Sequence, residues 1–172
     1  MNKQELQEAV KQLKNPDNAF EKVLRRLENT NPEVVREVWK SFGCDVSERF
    51  EKKTKGISPE IDKLREEKQT LKRKHALGII TNEEKERYEE LKMQDFLHHQ
   101  ENPNDPAYSY QPKNKEEILS EERWMALRFA WLLEIYLEHG SNGILMAYKG
   151  TFTPPPNTTI DYKLSKTESL HS

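Results

Sequence analysis

The feature that most constrains the fold of this 172-residue chain is an apolar run at residues 124–137, where 12 of 14 positions are apolar. Only Arg128 and Glu134 interrupt it. The surrounding sequence predicts one long helix over residues 115–139. A helix that is apolar on all sides must be buried in a core or in an oligomer interface. The run is too short and too charged to span a bilayer.

Apolar residues are scarce elsewhere, and their distribution divides the chain. The whole chain is 34% hydrophobic and 34% charged, with a net charge of −2. Residues 51–116 are the most polar region outside the C-terminal end, and residues 117–152 are the most apolar. The single cysteine, Cys44, excludes an internal disulfide and a cysteine-based zinc site. The N-terminal residues have the pattern of a polar helix and not of a signal peptide, so a cytoplasmic location is expected.

Residues 1–50 predict a unit of three helices. Each has apolar residues at the i, i+3, i+4, i+7 spacing of one helix face. Prolines at 16 and 32 separate the three helices. Gly43 is expected to end the third helix, because glycine is the usual residue after a helix C-terminus. The three stripes are Leu6, Ala9, Val10 and Leu13, then Phe20, Val23, Leu24 and Leu27, then Val34, Val35, Val38, Trp39 and Phe42.

Residues 57–99 predict a charged helical hairpin. The first arm ends at Gly78, and Thr81 with Glu84 forms a capping box that begins the second arm. The first arm has a seam spaced four and three, as in a coiled coil, with polar residues at two of its positions. That seam is Ile57, Ile61, Leu64, Lys68, Leu71 and His75, and the second arm carries Tyr88, Leu91, Phe96 and Leu97.

The C-terminal region leaves two alternatives open. Residues 144–152 fit a short strand or a short helix, and Thr158–Leu164 fits a second strand, so a short C-terminal β-hairpin is one of the two. The tail at 153–172 is expected to be flexible. The predicted fold is therefore mostly α: a helical bundle around the hydrophobic helix in 115–152, which packs on 1–50, with the polar hairpin at 57–99 projecting from it.

Nucleic-acid binding is one functional hypothesis. Residues 49–75 carry ten Lys or Arg against five acids, and clustered cations can neutralise phosphates. Residues 82–101 carry seven acids against three bases, so a hairpin would match much of this charge internally. The candidate contacts are Lys52, Lys53, Lys55, Lys72, Arg73 and Lys74.

Catalysis is not expected. The chain has no P-loop, no G-x-G-x-x-G and no G-x-S-x-G motif, and no cofactor is predicted. A metal-dependent enzyme is a weaker alternative, since Glu134 and Glu138 are spaced i, i+4. It would require both carboxylates and a histidine to converge on one point. Cys44 is expected to be buried and inert.

The leading hypothesis is a small binding or regulatory protein that acts through a protein partner or through self-association. Three tryptophans occur in a chain with few apolar residues, and Trp and Arg are frequent anchors of interfaces. The apolar helix also offers more surface than one flanking element can cover. The predicted partner-binding residues are Trp39, Trp124, Arg128, Trp131 and Glu134. For Arg128 and Glu134 the alternative is that each side chain extends to solvent at a helix edge.

Overall fold

The structure is a computed structural model that describes residues 3–50, 54–109 and 112–160. These residues form seven α-helices and one 3-10 turn, with no strand among them, so the chain is mostly α as predicted. They belong to two compact units, one within residues 1–50 and 113–172 and the other within residues 51–112. The helices are α1 (Lys3–Lys14), α2 (Phe20–Thr30), α3 (Pro32–Phe50), α4 (Pro59–Ala76), α5 (Asn82–Glu101), α6 (Lys115–His139) and α7 (Ser141–Tyr148), and the 3-10 turn is Pro106–Tyr108.

The first unit is built around α6. This helix packs against α1, α2, α3 and α7. None of the apolar residues of its 124–137 run is exposed, whereas Ile118 and Leu119 near its start are. Phe129 and Leu132 are fully buried, and the Phe129 ring centroid lies 5.1 Å from that of Phe42 and 5.9 Å from that of Phe20. Helices of its own chain therefore bury α6. Neither α6 nor any other described helix is long and apolar enough to cross a membrane.

The stripes predicted for the first two helices are the buried faces of α1 and α2. The predicted end of the third helix at Gly43 is wrong, because α3 continues to Phe50. Gly43 lies in mid-helix beneath Trp39, and a Cβ atom there would be 2.9 Å from the indole Nε1. The glycine thus makes room for an aromatic ring. The extra turns of α3 bring Asp45 into the core, where it is fully buried.

The C-terminal β-hairpin is not formed in the described residues. Helix α7 includes residues 144–148, with Ile144 and Tyr148 buried, so the helical alternative is correct there. The tail expected to be flexible begins with a packed segment, since Thr158 is buried and its hydroxyl donates to the Pro155 carbonyl at 2.8 Å. Residues 161–172 lie outside the described residues.

The second unit is a helical hairpin in which α4 and α5 pack against each other. Gly78, with φ +74°, provides the left-handed residue at the turn. The predicted capping box is confirmed: the Glu84 backbone N–H donates to the Thr81 hydroxyl at 3.1 Å, and the Thr81 N–H donates to the Glu84 carboxylate at 3.0 Å. Leu71 of α4 and Leu91 of α5 are the buried apolar residues of the pair.

Two leucines of α6 allow a matched test of this core. Leu132 is fully buried, whereas Leu119 is 55% exposed. Leu132→Ala should lower the free energy of unfolding of the first unit by about 2–5 kcal/mol, because it leaves a cavity. Leu119→Ala should change it by less than about 0.5 kcal/mol. Tryptophan fluorescence in a denaturant titration isolates this unit, since all three tryptophans belong to it. Equal effects of the two substitutions would contradict the burial of α6.

Candidate protein-interaction surface

The five residues predicted to bind a partner do not form one exposed surface. Trp124 and Arg128 are buried, Trp131 is half-buried, and Trp39 and Glu134 are exposed. Trp39 packs its ring against Phe42, with centroids 5.1 Å apart. Trp124 and Arg128 are therefore used inside the first unit.

Arg128 forms a buried ion pair and does not extend to solvent. Its Nε donates to Asp45 Oδ2 at 2.9 Å, and its Nη1 donates to the Thr158 carbonyl at 2.6 Å. Both side chains of the pair are inaccessible to solvent, and the guanidinium lies 4.5 Å from the ring centroid of Trp131. A buried charge requires such partners. Sequence spacing missed this pair because Asp45 is 83 positions away from Arg128.

The carboxylates considered for a metal site do not converge with a histidine. Glu134 forms an ion pair with Lys14. Glu138 is exposed, and its Oε2 lies 3.8 Å from Nε2 of the neighbouring His139. Among the described residues, no group of three His, Cys, Asp or Glu side chains is placed to hold a metal ion. Cys44 is buried in α3.

The six candidate nucleic-acid contacts do not form one exposed cationic surface either. Lys52 and Lys53 lie outside the described residues. Lys55 and Lys72 are exposed, whereas Arg73 and Lys74 are held within the hairpin. Arg73 is buried, and Lys74 Nζ lies 2.6 Å from Glu84 Oε2. Arg73 and Lys74 are therefore engaged within the hairpin.

Ion pairs join the basic arm of the hairpin to the acidic arm. The order of these pairs along the two helices shows that α4 and α5 run antiparallel. They are Lys74 with Glu84, Glu67 with Arg87 in a bidentate contact at 2.9 and 3.0 Å, and Arg65 with Asp95 at 3.1 Å. Three of the ten cations that suggested phosphate binding, Arg65, Lys68 and Lys74, are thus matched by carboxylates of α5.

A polar cluster at the open end of the hairpin anchors the segment after α5. Asp105 is fully buried, and its carboxylate accepts the backbone N–H of Ala107 at 3.0 Å and of Ile57 at 3.3 Å. His98 Nε2 lies 2.7 Å from the other carboxylate oxygen of Asp105. The hydrogen bonds from Ala107 and then from His98 lower the pKa of Asp105.

Asp95 is the second carboxylate of this cluster. Burial raises its pKa, but hydrogen bonds from Lys68 and from the Tyr108 hydroxyl outweigh that effect and the pKa is lowered. The Tyr108 hydroxyl donates to Asp95 at 2.9 Å and accepts from Arg65 Nη2 at 2.7 Å. These contacts fix the rotation of α5 about its axis, with Asp95 and His98 turned toward the rest of the hairpin.

The opposite side of α5 presents three large apolar side chains to solvent. Met93, Phe96 and Leu97 are 58%, 56% and 47% exposed. Their i, i+3, i+4 spacing places them on one face, about half a turn away from the buried Leu91. They are three of the seven large apolar side chains exposed in the described part of the chain. We call Met93, Phe96 and Leu97 the apolar patch.

Sequence reasoning placed Phe96 and Leu97 in the second arm beside Leu91 and did not identify them as a surface. The position of each residue around the helix axis could have revealed this surface. Leu91, Asp95 and His98 are spaced four and three residues apart, so they share the side of α5 that faces α4, whereas Phe96 and Leu97 lie on the other side. The inward positions are polar in this hairpin, which made the apolar side appear to be its interior.

No family model, curated protein or solved structure matches the chain. Its function is therefore inferred from its own geometry.

The lowered pKa of Asp105 predicts how the hairpin responds to acid. A carboxylate with a lower pKa in the folded state contributes stability that is present above its unfolded pKa, near 4, and is lost as the pH falls through the folded value. Hydrogen-exchange protection of α4 and α5, corrected for intrinsic rates, should therefore fall below about pH 4. Asp105→Asn should reduce the protection at pH 7 and weaken this pH dependence.

Glu101→Gln is the matched control, because Glu101 is an exposed acid at the end of α5, four positions before Asp105. It should leave protection at both pH values close to that of the unsubstituted chain. If Asp105→Asn behaves as Glu101→Gln does, Asp105 is not an anchor of the hairpin.

Proposed function

We propose that the chain is a non-catalytic protein-binding protein that holds a partner on the apolar patch of α5. The exposure of three large apolar side chains on one helix face carries the proposal. Such a group is more costly to leave in water than single scattered residues, and exposed apolar patches are typical of interaction sites. A helix that presents anchors at i, i+3 and i+4 suits a partner that packs along it.

The first unit supports the proposal because it exposes no comparable group of large apolar side chains. Its largest apolar element, α6, is covered by helices of the same chain. Arg128, which was predicted to anchor a partner, instead forms a buried ion pair with Asp45. Two smaller groups stay exposed there, Trp39 on α3 and Ile118 with Leu119 on α6. Neither has three large apolar side chains on one face, so α5 is the preferred site. A regulatory role and a cytoplasmic location belong to the same proposal.

Site-specific photo-crosslinking in the organism that encodes the chain tests this function. A photoreactive phenylalanine analogue at position 96 should give a discrete adduct with another protein, because it lies at the centre of the patch. The same analogue at Lys22, which is exposed on α2, is the control and should not give that adduct. Adding Met93→Glu and Leu97→Glu to the first variant should abolish the adduct.

The proposal is wrong if no adduct forms at position 96. It is also wrong if positions 96 and 22 give the same products, since crosslinking would then reflect random encounter. Circular dichroism of each variant verifies that the helices are retained, which is expected because all the substituted side chains are exposed or face solvent.

A further inference from the structure

The outward face of α5 has an acidic half as well as an apolar half. Glu86, Glu89 and Glu90 lie on the same side of the helix as the apolar patch, one to two turns toward the N-terminus, and all are exposed. We call these three residues the acidic row. Along the centre of this face run Asn82, Glu86, Glu89, Met93, Phe96 and Gln100, with no Lys or Arg among them. Lys85 and Lys92 lie at one edge of the face.

The spacing of those central positions is four, three, four, three, four. This is the spacing of a seam along which one helix packs on another. All six residues of this seam are exposed. The face is therefore shaped for a helix, and its two halves require different side chains from that helix.

The acidic row is distinct from the carboxylates that hold the hairpin together. Glu84 and Asp95 pair with cations of α4. Glu89 Oε1 lies 3.0 Å from Lys92 Nζ, and Glu90 Oε2 lies 3.2 Å from Arg87 Nη1. Both are exposed i, i+3 pairs within α5. Exposed pairs of this kind contribute little, so these carboxylates can turn to an incoming cation at small cost.

We propose that the partner segment is a cationic amphipathic helix, which packs apolar residues on the patch and Lys or Arg on the acidic row. This inference rests on the proposed function. From Glu86 to Leu97 the face extends about 16 Å along the helix axis. The partner therefore needs about three turns, with its apolar anchors at one end and its cations one to two turns away.

A second copy of the chain is a poorer occupant of this face. Parallel pairing of two α5 helices would set the acidic rows against each other. Antiparallel pairing that joins the two apolar patches would set each acidic row against the residues beyond Gln100. Helix α5 ends at Glu101, and residues 101–112 contain no Lys or Arg. Neither arrangement neutralises the carboxylates.

Fluorescence anisotropy with labelled peptides and the full chain tests the inference. The probe is an alanine-based peptide of about three heptads with Leu at the seam positions of one half and Lys at those of the other. Its counterpart replaces each Lys with Glu. The Lys peptide should bind, and the Glu peptide should bind at least about tenfold more weakly. Phe96→Ala should weaken binding of the Lys peptide about tenfold, because it removes the central apolar anchor.

The acidic row has its own matched pair of variants. Glu86→Gln, Glu89→Gln and Glu90→Gln together should weaken binding of the Lys peptide about tenfold and reduce its dependence on salt. The control removes the same charge from the first unit, with Glu8→Gln, Glu28→Gln and Glu33→Gln, all of which are exposed there. It should leave the dissociation constant within about twofold.

Several results would overturn this assignment. Equal binding of the Lys and Glu peptides, or equal weakening by the two triple variants, would show that the acidic row does not select the partner. Failure of the Lys peptide to bind, while crosslinks at position 96 persist, would leave the proposed function standing and reject a cationic helix. Self-association that Phe96→Ala abolishes would make a second copy the occupant.

Discussion

The apolar circumference of α6 is the constraint on which the rest of the first unit depends. A helix with this composition cannot leave a side in water, and four other helices are needed to surround it. Apolar residues are less frequent outside α6, and those of α1, α2 and α3 are largely used for this purpose. Covering α6 therefore leaves only Trp39 exposed among the large apolar residues of those three helices.

The buried ion pair between Arg128 and Asp45 is the polar exception in that core. It connects α6 to the last turns of α3, and the bond from Arg128 to the Thr158 carbonyl ties in the chain after α7. A buried guanidinium is tolerated only when its N–H donors have hydrogen-bond acceptors. The packing of α6 on α3 must therefore keep Arg128 opposite Asp45. The pair thus explains why an apparently misplaced charge occurs within the apolar run of α6.

Local patterns were sufficient to predict most of the helices, and they failed where distant residues decide the outcome. The stripe of Leu6, Val10 and Leu13 and the capping box at Thr81 depend on neighbours within a few turns, and both are confirmed. The sequence predicts a helix terminus at Gly43, but α3 continues past it to bring in Asp45, whose partner Arg128 is 83 positions away. The apolar patch was missed because the inward side of α5 is polar, with Asp95 bonded to Arg65 across the hairpin.

We propose that this chain buries its apolar core by itself and keeps one face of α5 for a cationic partner of another kind. Sedimentation velocity of the purified full chain, across a wide range of concentrations at low and at moderate salt, tests it most directly. We expect a single species with the mass of one chain throughout, because the apolar run of α6 is already covered and the acidic row opposes self-pairing. A dimer that grows with concentration would contradict it.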